Sequence, residues 1–211
     1  MRRPQFIARQ SGRPAGLLGE VVGRIMAHET AAANRVALDL LDLQPGDRVL
    51  EIGFGHGRSL AAAMASVADG FVAGIDHSEV MLRIARKRNA SALRARRMEL
   101  TLGDSESLPY PDGRFNKVFA MHSIYFWSDP RRHFEEARRV LSDEGRFVVG
   151  YRPSEDWRFV EAFPSSVYRV RSIKEVENLI ADAGLRLVQS TAHRLSSSLC
   201  AWTVASKPPS S

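Results

Sequence analysis

Residues 48–57, Arg-Val-Leu-Glu-Ile-Gly-Phe-Gly-His-Gly, constrain the fold more than any other stretch of this 211-residue chain. Val49, Leu50 and Ile52 make a short apolar run, as a strand buried on both faces of a parallel sheet requires. The run stops at Gly53, Gly55 and Gly57, glycines at alternate positions. With no Cβ, glycine lets backbone turn sharply and lets a ligand approach it closely. Glu51 sits just before this turn. A second apolar run, Phe71-Val72-Ala73-Gly74-Ile75, ends in Asp76, about 20 residues past the turn. A carboxylate at the tip of the second strand is placed to accept hydrogen bonds from ribose hydroxyls. Together these features predict a nucleoside-containing cofactor at the carboxyl edge of a parallel sheet.

The glycine spacing narrows the cofactor. A dinucleotide fingerprint needs G-x-G-x-x-G, with a helix N-terminus facing a pyrophosphate. Counted from Gly53, the third glycine position holds Arg58; counted from Gly55, it holds Leu60. A nicotinamide oxidoreductase is therefore disfavoured. The pattern present, E-x-G-x-G-x-G, resembles motif I of the class I S-adenosylmethionine-dependent methyltransferases. In that family the glycine loop lies against the methionine part of the cofactor and no phosphate is bound.

The rest of the chain reads as strand–helix alternation. Residues 1–16 form an arm, and 17–43 a helical stretch in which Leu18, Val21, Val22, Ile25 and Met26, then Val36, Leu40 and Leu41, recur at helical spacing. Residues 44–47 are a turn. Strand 48–54 leads to a helix over 57–68. Strand 71–76 leads to a helix over 78–94 with Ser78 as N-cap, and strand 98–103 to a loop over 104–109. Pro111-Asp112-Gly113 turns into strand 115–121. A helix over 130–141 follows, capped by Asp129 with Pro130 first. Asp143-Glu144-Gly145 ends it ahead of strand 146–151. Ser172 and Glu175 form a capping box for a helix ending near Gly184. The last strands, 185–193 and 198–206, have too short a link to be parallel. The whole is α/β: a doubly wound, seven-stranded, mostly parallel sheet closed by an antiparallel hairpin. That ending is the Rossmann-like fold of the resembled family. The predicted organisation is a cap over 1–43, a cofactor-binding domain over 44–206 and a tail over 207–211.

The resemblance covers most of residues 48–205 and is closest to the small-molecule (type 11-like) branch. It implies a transfer of a methyl group from S-adenosylmethionine, leaving S-adenosylhomocysteine, to a small or lipid-like acceptor. Glu51, Gly53, Gly55 and Gly57 match the first motif. Asp76 stands at the ribose-binding acid, with His77 next to the adenine. Asp104 and the neighbouring Ser105 stand where the family meets the adenine edge. His122, at the end of the fourth strand, falls beside the expected methyl group, able to orient an acceptor, remove its proton or hydrogen-bond the cofactor, and it is counted among the cofactor-binding residues as well. His122 and Tyr125 are the candidate catalytic residues. Of Tyr125, Phe126 and Trp127, one is expected to line the acceptor pocket and two to pack. Two segments are expected to close the site. One is the N-terminal arm and helix, with His28, Glu29 and Asn34. The other is the insert 152–171, whose Trp157, Phe159, Phe163 and Tyr168 suit a hydrophobic or cationic acceptor.

Charge and composition bound the alternatives. A net charge of +6 gathers in Arg83, Arg86, Lys87, Arg88, Arg94, Arg96 and Arg97, which contain no acid between them. Such a face would suit RNA or peripheral contact with an anionic membrane. No base-stacking aromatics interleave it, and neither an Asn/Asp-Pro-Pro-Tyr-type motif nor a catalytic Cys points to nucleic acid. A non-catalytic S-adenosylmethionine-binding module is the other alternative. The histidines at 28, 56, 77, 122, 133 and 193 lack ligand spacing, so no metal is expected. No Ser-His-Asp arrangement can be read from the chain. The single cysteine, Cys200, falls in an alternating strand as a packing residue. With no apolar run long enough for a span or a signal peptide, the chain reads as cytoplasmic.

Overall fold

The computed structural model describes residues 30–209. The expected arm, the first part of the helix over 17–43, His28 and Glu29 lie outside the described residues, as does the end of the tail.

The described elements begin with α1 (Ala31–Leu41), β1 (Arg48–Ile52), α2 (Arg58–Ser66), β2 (Phe71–Asp76), α3 (Glu79–Arg88), α4 (Ala90–Arg94) and β3 (Met98–Leu102). Next come β4 (Phe115–Met121), a 3-10 turn (Ile124–Phe126), α5 (Pro130–Val140) and β5 (Leu141–Tyr151). The chain ends with α6 (Trp157–Ala162), α7 (Ile173–Asp182), β6 (Arg186–Leu195) and β7 (Ser198–Ser206). The seven strands form one sheet in the order β3-β2-β1-β4-β5-β7-β6. β1 to β5 run parallel, while β7 is antiparallel to both β5 and β6. This is the doubly wound sheet with a terminal hairpin that the sequence predicts.

Both faces of the sheet are covered because its strands are apolar at consecutive positions. Val49, Val72, Phe119 and Val148 join the layer containing α1, α2 and α3. Leu50, Ala73, Val118 and Val149 join the layer containing α5, α6 and α7. Successive strand side chains point to opposite faces, so a run with no polar partner needs helices on both sides. The chain steps outward from β1 to β3, then returns to β4 on the other side of β1. That reversal opens a crevice at the carboxyl ends of β1 and β4, where open α/β sheets take ligands.

Side-chain caps open two of the described helices. Ser78 caps α3 by accepting from the Met81 N–H, and the Ser172–Glu175 box at α7 is complete. Asp129 precedes Pro130 as expected, but its side chain makes no capping bond. Three expectations need correction. The single helix over 78–94 is two helices, broken at Asn89. The buried Asn89 amide donates to the carbonyls of Gly57 (3.1 Å) and Ala85 (3.0 Å), so the break ties this layer to the glycine loop. β5 starts at Leu141 rather than 146, and Asp143-Glu144-Gly145 lies within it, where its register against β4 shifts between Phe115 and Lys117. The basic run is also not one free face. Arg88 donates to the His56 carbonyl (2.7 Å) and Arg97 to the carbonyls of Val67 and Gly70. Among the described residues no helix is long and apolar enough to cross a membrane.

Candidate active site

The crevice is a cavity of about 790 Å³, within the roughly 300–1,000 Å³ of small-molecule sites. Its lining comes from the ends of β1, β2, β3 and β4, from Thr30 and Asn34 at the start of α1, and from Ser166, Val167 and Arg169 of the insert. Nearly all the candidate residues converge there. Glu51, Gly53, Gly55, Asp76, His77, Asp104, Ser105, His122 and Tyr125 line it; Gly57 does not.

The glycines of the loop have different reasons to be glycine. All three have positive φ, at +78° for Gly53, +50° for Gly55 and +71° for Gly57. A Cβ at Gly53 would collide with the Ser123 hydroxyl. One at Gly57 would lie 2.8 Å from both the Ala85 Cβ and the Asn89 amide nitrogen. Gly57 is therefore required by packing and does not line the cavity. At Gly55 a Cβ would meet nothing within 4 Å. It would project into open space in the cavity wall, as expected of backbone kept bare for a ligand.

Two carboxylates hold this loop. Asp76 accepts from the Gly55 N–H (2.8 Å) through one oxygen and from the Ser78 N–H (2.9 Å) through the other. It thus links the tip of β2 to the loop after β1. Burial pushes its pKa up, against the pull of those N–H groups. Glu51 is 2% exposed. One of its oxygens accepts from the Ser59 hydroxyl, while the other is buried with no partner. Burial pushes Glu51 up to about 8, the Ser59 bond opposing and nearby Asp76 adding to the rise.

This shift has a checkable consequence. A carboxyl whose folded pKa lies above its unfolded value of 4.5 holds its proton more tightly when folded. Its contribution to ligand-free stability is complete below about pH 4.5 and is lost as pH rises toward 8. The loss has a slope of at most about 1.4 kcal/mol per pH unit. Glu51→Gln should flatten this part of the stability–pH curve and be more stable than the wild type at pH 9. A melting series across that range would show it; parallel curves would place Glu51 in a wetter, ordinary setting.

Around the adenosine side expected from the sequence, Asp104 accepts from the Glu106 N–H (3.0 Å) and His77 is exposed at the rim. Ser105 Oγ lies 2.7 Å from His133 Nδ1, and His133 Nε2 is 3.5 Å from Glu106 Oε1. Ser128 Oγ donates to the same Glu106 oxygen (2.9 Å), and the Trp127 ring stacks on His133 at 4.5 Å. Sequence reading found no Ser-His-acid grouping because these residues come from a loop and a helix some thirty positions apart, joined only by the crossover from β3 through β4 to α5. The group fixes the Ser105 hydroxyl at the cavity wall.

On the other side, His122 has φ +56°. For a residue with a Cβ this costs roughly 1–3 kcal/mol and persists only when neighbours impose it. Its N–H donates to the Gly150 carbonyl (2.8 Å). Its Nδ1 lies 3.2 Å from the Tyr125 hydroxyl, which itself accepts from the Arg152 N–H. The Tyr125 hydroxyl thus ties His122 to the start of the insert, and the direction of the His122–Tyr125 bond follows the imidazole tautomer. Burial, aided by Arg152, pushes His122 down to about 4. Burial pushes Tyr125 well above the usual phenol range. Both are neutral at pH 7, and His122 is a weak base there.

The aromatic expectations change. Tyr125, Phe126 and Trp127 all reach the cavity wall, while Tyr125 and Trp127 are also buried in the core. Phe159, Phe163 and Tyr168 are buried as a cluster, two of them against Tyr125 (5.4 Å to Phe159 and to Tyr168), and Trp157 is 57% exposed. None of the four reaches the cavity lining. The insert closes the site with Ser166, Val167 and Arg169 instead, a segment without the periodicity that sequence reading depends on.

Comparison with known proteins agrees with this geometry. The type 11 family model described as Methyltransferase domain matches residues 50–149. Over 135 residues the chain is 29% identical to an uncharacterized methyltransferase, YdaC, of Bacillus subtilis (strain 168), covering 64% of this chain and 72% of that protein. Over 164 residues it is 34% identical to the 27-O-demethylrifamycin SV methyltransferase of Amycolatopsis mediterranei (strain S699), covering 74% and 60%. The chain spans less than two thirds of most other curated relatives it matches, down to 34%. A crystal structure of a SAM-dependent methyltransferase from Aquifex aeolicus superposes with a TM-score of 0.69 at 24% identity, covering 82% of this chain and 88% of that one.

Proposed function

The chain belongs to the class I S-adenosylmethionine-dependent methyltransferases, and from that premise we propose that it methylates a small-molecule acceptor held between His122 and residues 166–169. When bound, S-adenosylmethionine supplies a methyl group already activated on a sulfonium. The residues present fit that group. Glu51 Oε2 and Asn34 Oδ1 are buried without partners, an ammonium bound there would favour the ionised form of Glu51, and the wall over Gly55 is bare. In this reading Gly53 and Gly55 flank the methionine part and Asp76 receives the ribose hydroxyls beside His77. Asp104 and Ser105 meet the adenine.

The observation that carries the reading is the neutral, strained His122 at the end of β4, held by Gly150 and Tyr125. Its imidazole lines the cavity and, with its pKa pushed down to about 4, is too weak a base to generate a nucleophile at neutral pH. The chain's residues therefore act by holding an acceptor that is already nucleophilic and by excluding water. Positioning of this kind supplies up to roughly 7–11 kcal/mol. The Amycolatopsis relative, by its name, also takes a small-molecule acceptor.

Incubation with S-adenosylmethionine and a panel of phenols, amines and enolisable carbon acceptors, followed by S-adenosylhomocysteine release, tests this. Acceptor-dependent release supports it. Cofactor binding without turnover would favour a binding module. Turnover on RNA alone, lost in Arg86→Glu with Arg94→Glu, would transfer the function to the basic face.

A further inference from the structure

We infer that Arg169 makes the acceptor end of this cavity selective for an amphipathic organic anion, an apolar body carrying a carboxylate, sulfonate or phosphate. The inference rests on the proposed division of the cavity and names its acceptor class. Arg169 is the only Lys or Arg among the described residues that line it. The acidic lining groups are Glu51, Asp76 and Asp104 at the ends of β1, β2 and β3, and Glu106, which is bonded to the Ser128 hydroxyl while Arg169 bonds the Ser128 carbonyl. The same wall carries the apolar Phe126 and Val167 together with Ser128 and Ser166.

Arg169 is exposed at the cavity mouth, its backbone is fixed, and its side chain makes one described hydrogen bond and no described ion pair. The Arg169 backbone N–H donates to the Tyr125 carbonyl (3.1 Å), and its own carbonyl accepts from Arg171 (3.0 Å). One guanidinium nitrogen donates to the Ser128 carbonyl (3.0 Å). No described carboxylate pairs with it, in contrast to Arg152 with Asp156 or Arg139 with Glu136 and Asp112. A guanidinium has five N–H donors in a planar fork, and most of these remain without a described protein acceptor. An unpaired fork beside apolar wall is a recognition element for planar or tetrahedral oxyanions. A neutral twin of the same acceptor would gain only the apolar contact.

The test uses two fluorescent probes that differ by one group, 8-anilinonaphthalene-1-sulfonate and the uncharged N-phenyl-1-naphthylamine, titrated into the protein saturated with S-adenosylhomocysteine. Arg169→Gln should weaken the sulfonate about tenfold, as for one charge-assisted contact, and move the neutral probe less than twofold. Arg158→Gln, which removes an exposed arginine of the same insert, should change neither. The inference fails if the wild type does not bind the sulfonate, if both probes weaken equally, or if Arg158→Gln has the same effect. Loss of S-adenosylhomocysteine affinity in Arg169→Gln would move Arg169 to the cofactor and also overturn it. A wild type that bound no S-adenosylhomocysteine would instead overturn the functional reading beneath it.

Discussion

Gly55→Val should leave a folded protein with no measurable affinity for S-adenosylhomocysteine, a loss of at least about 100-fold, or roughly 3 kcal/mol. Gly55 is the loop glycine whose missing Cβ faces open cavity rather than protein. A branched side chain there would fill the space against which the methionine part lies in the proposed site. It would also sit at φ +50°, a left-handed setting that costs a side-chain residue roughly 1–2 kcal/mol. That strain is small beside ordinary domain stability, so circular dichroism should report a native spectrum with a lowered melting temperature. Gly57→Val is the contrast. Its added atoms would press on Ala85 and Asn89 inside the layer formed by α2 and α3, and it should destabilise the fold before any question of binding arises. If Gly55→Val bound the cofactor product normally, the bare backbone would have some other cause.

Asp76→Ala should weaken S-adenosylhomocysteine by at least tenfold, about 1.5–3 kcal/mol for bonds to a charged acceptor. It should also cost stability without ligand. The carboxylate now satisfies the Gly55 and Ser78 N–H groups, and orphaning buried donors costs about 1–3 kcal/mol. These effects separate by experiment. Asp76→Asn keeps one carbonyl-type acceptor and the shape of the site, so it should recover part of the stability while remaining weak in binding. Calorimetric affinity within tenfold of wild type for Asp76→Ala would remove Asp76 from the ribose role and leave it as a loop brace.

Much of this architecture can be read from the chain because its signals are local. The apolar run 71–76 coincides with β2, and the Ser78 cap and the Ser172–Glu175 box act within a turn of themselves. The short link before Ser198 forces the hairpin. What could not be read depends on distant partners. Asn89 breaks a helix because of a carbonyl in the glycine loop, 32 positions away. Gly57 resembles its neighbours in sequence but is held by packing against α3. His133 looked like a scattered histidine until α5 brought it under Ser105. The cavity wall at Ser166, Val167 and Arg169 has no motif or periodicity. The conspicuous aromatics of the same insert, which drew attention in the sequence, are buried behind Tyr125.

The most direct measurement is a crystal structure of the protein grown with S-adenosylhomocysteine. Density for the product should lie across Gly53 and Gly55, with the ribose hydroxyls on Asp76, the adenine edge at Asp104 and Ser105, and the sulfur turned toward His122. The product bound elsewhere, or this crevice left empty at saturating concentration, would refute the placement of the cofactor and the acceptor site built upon it.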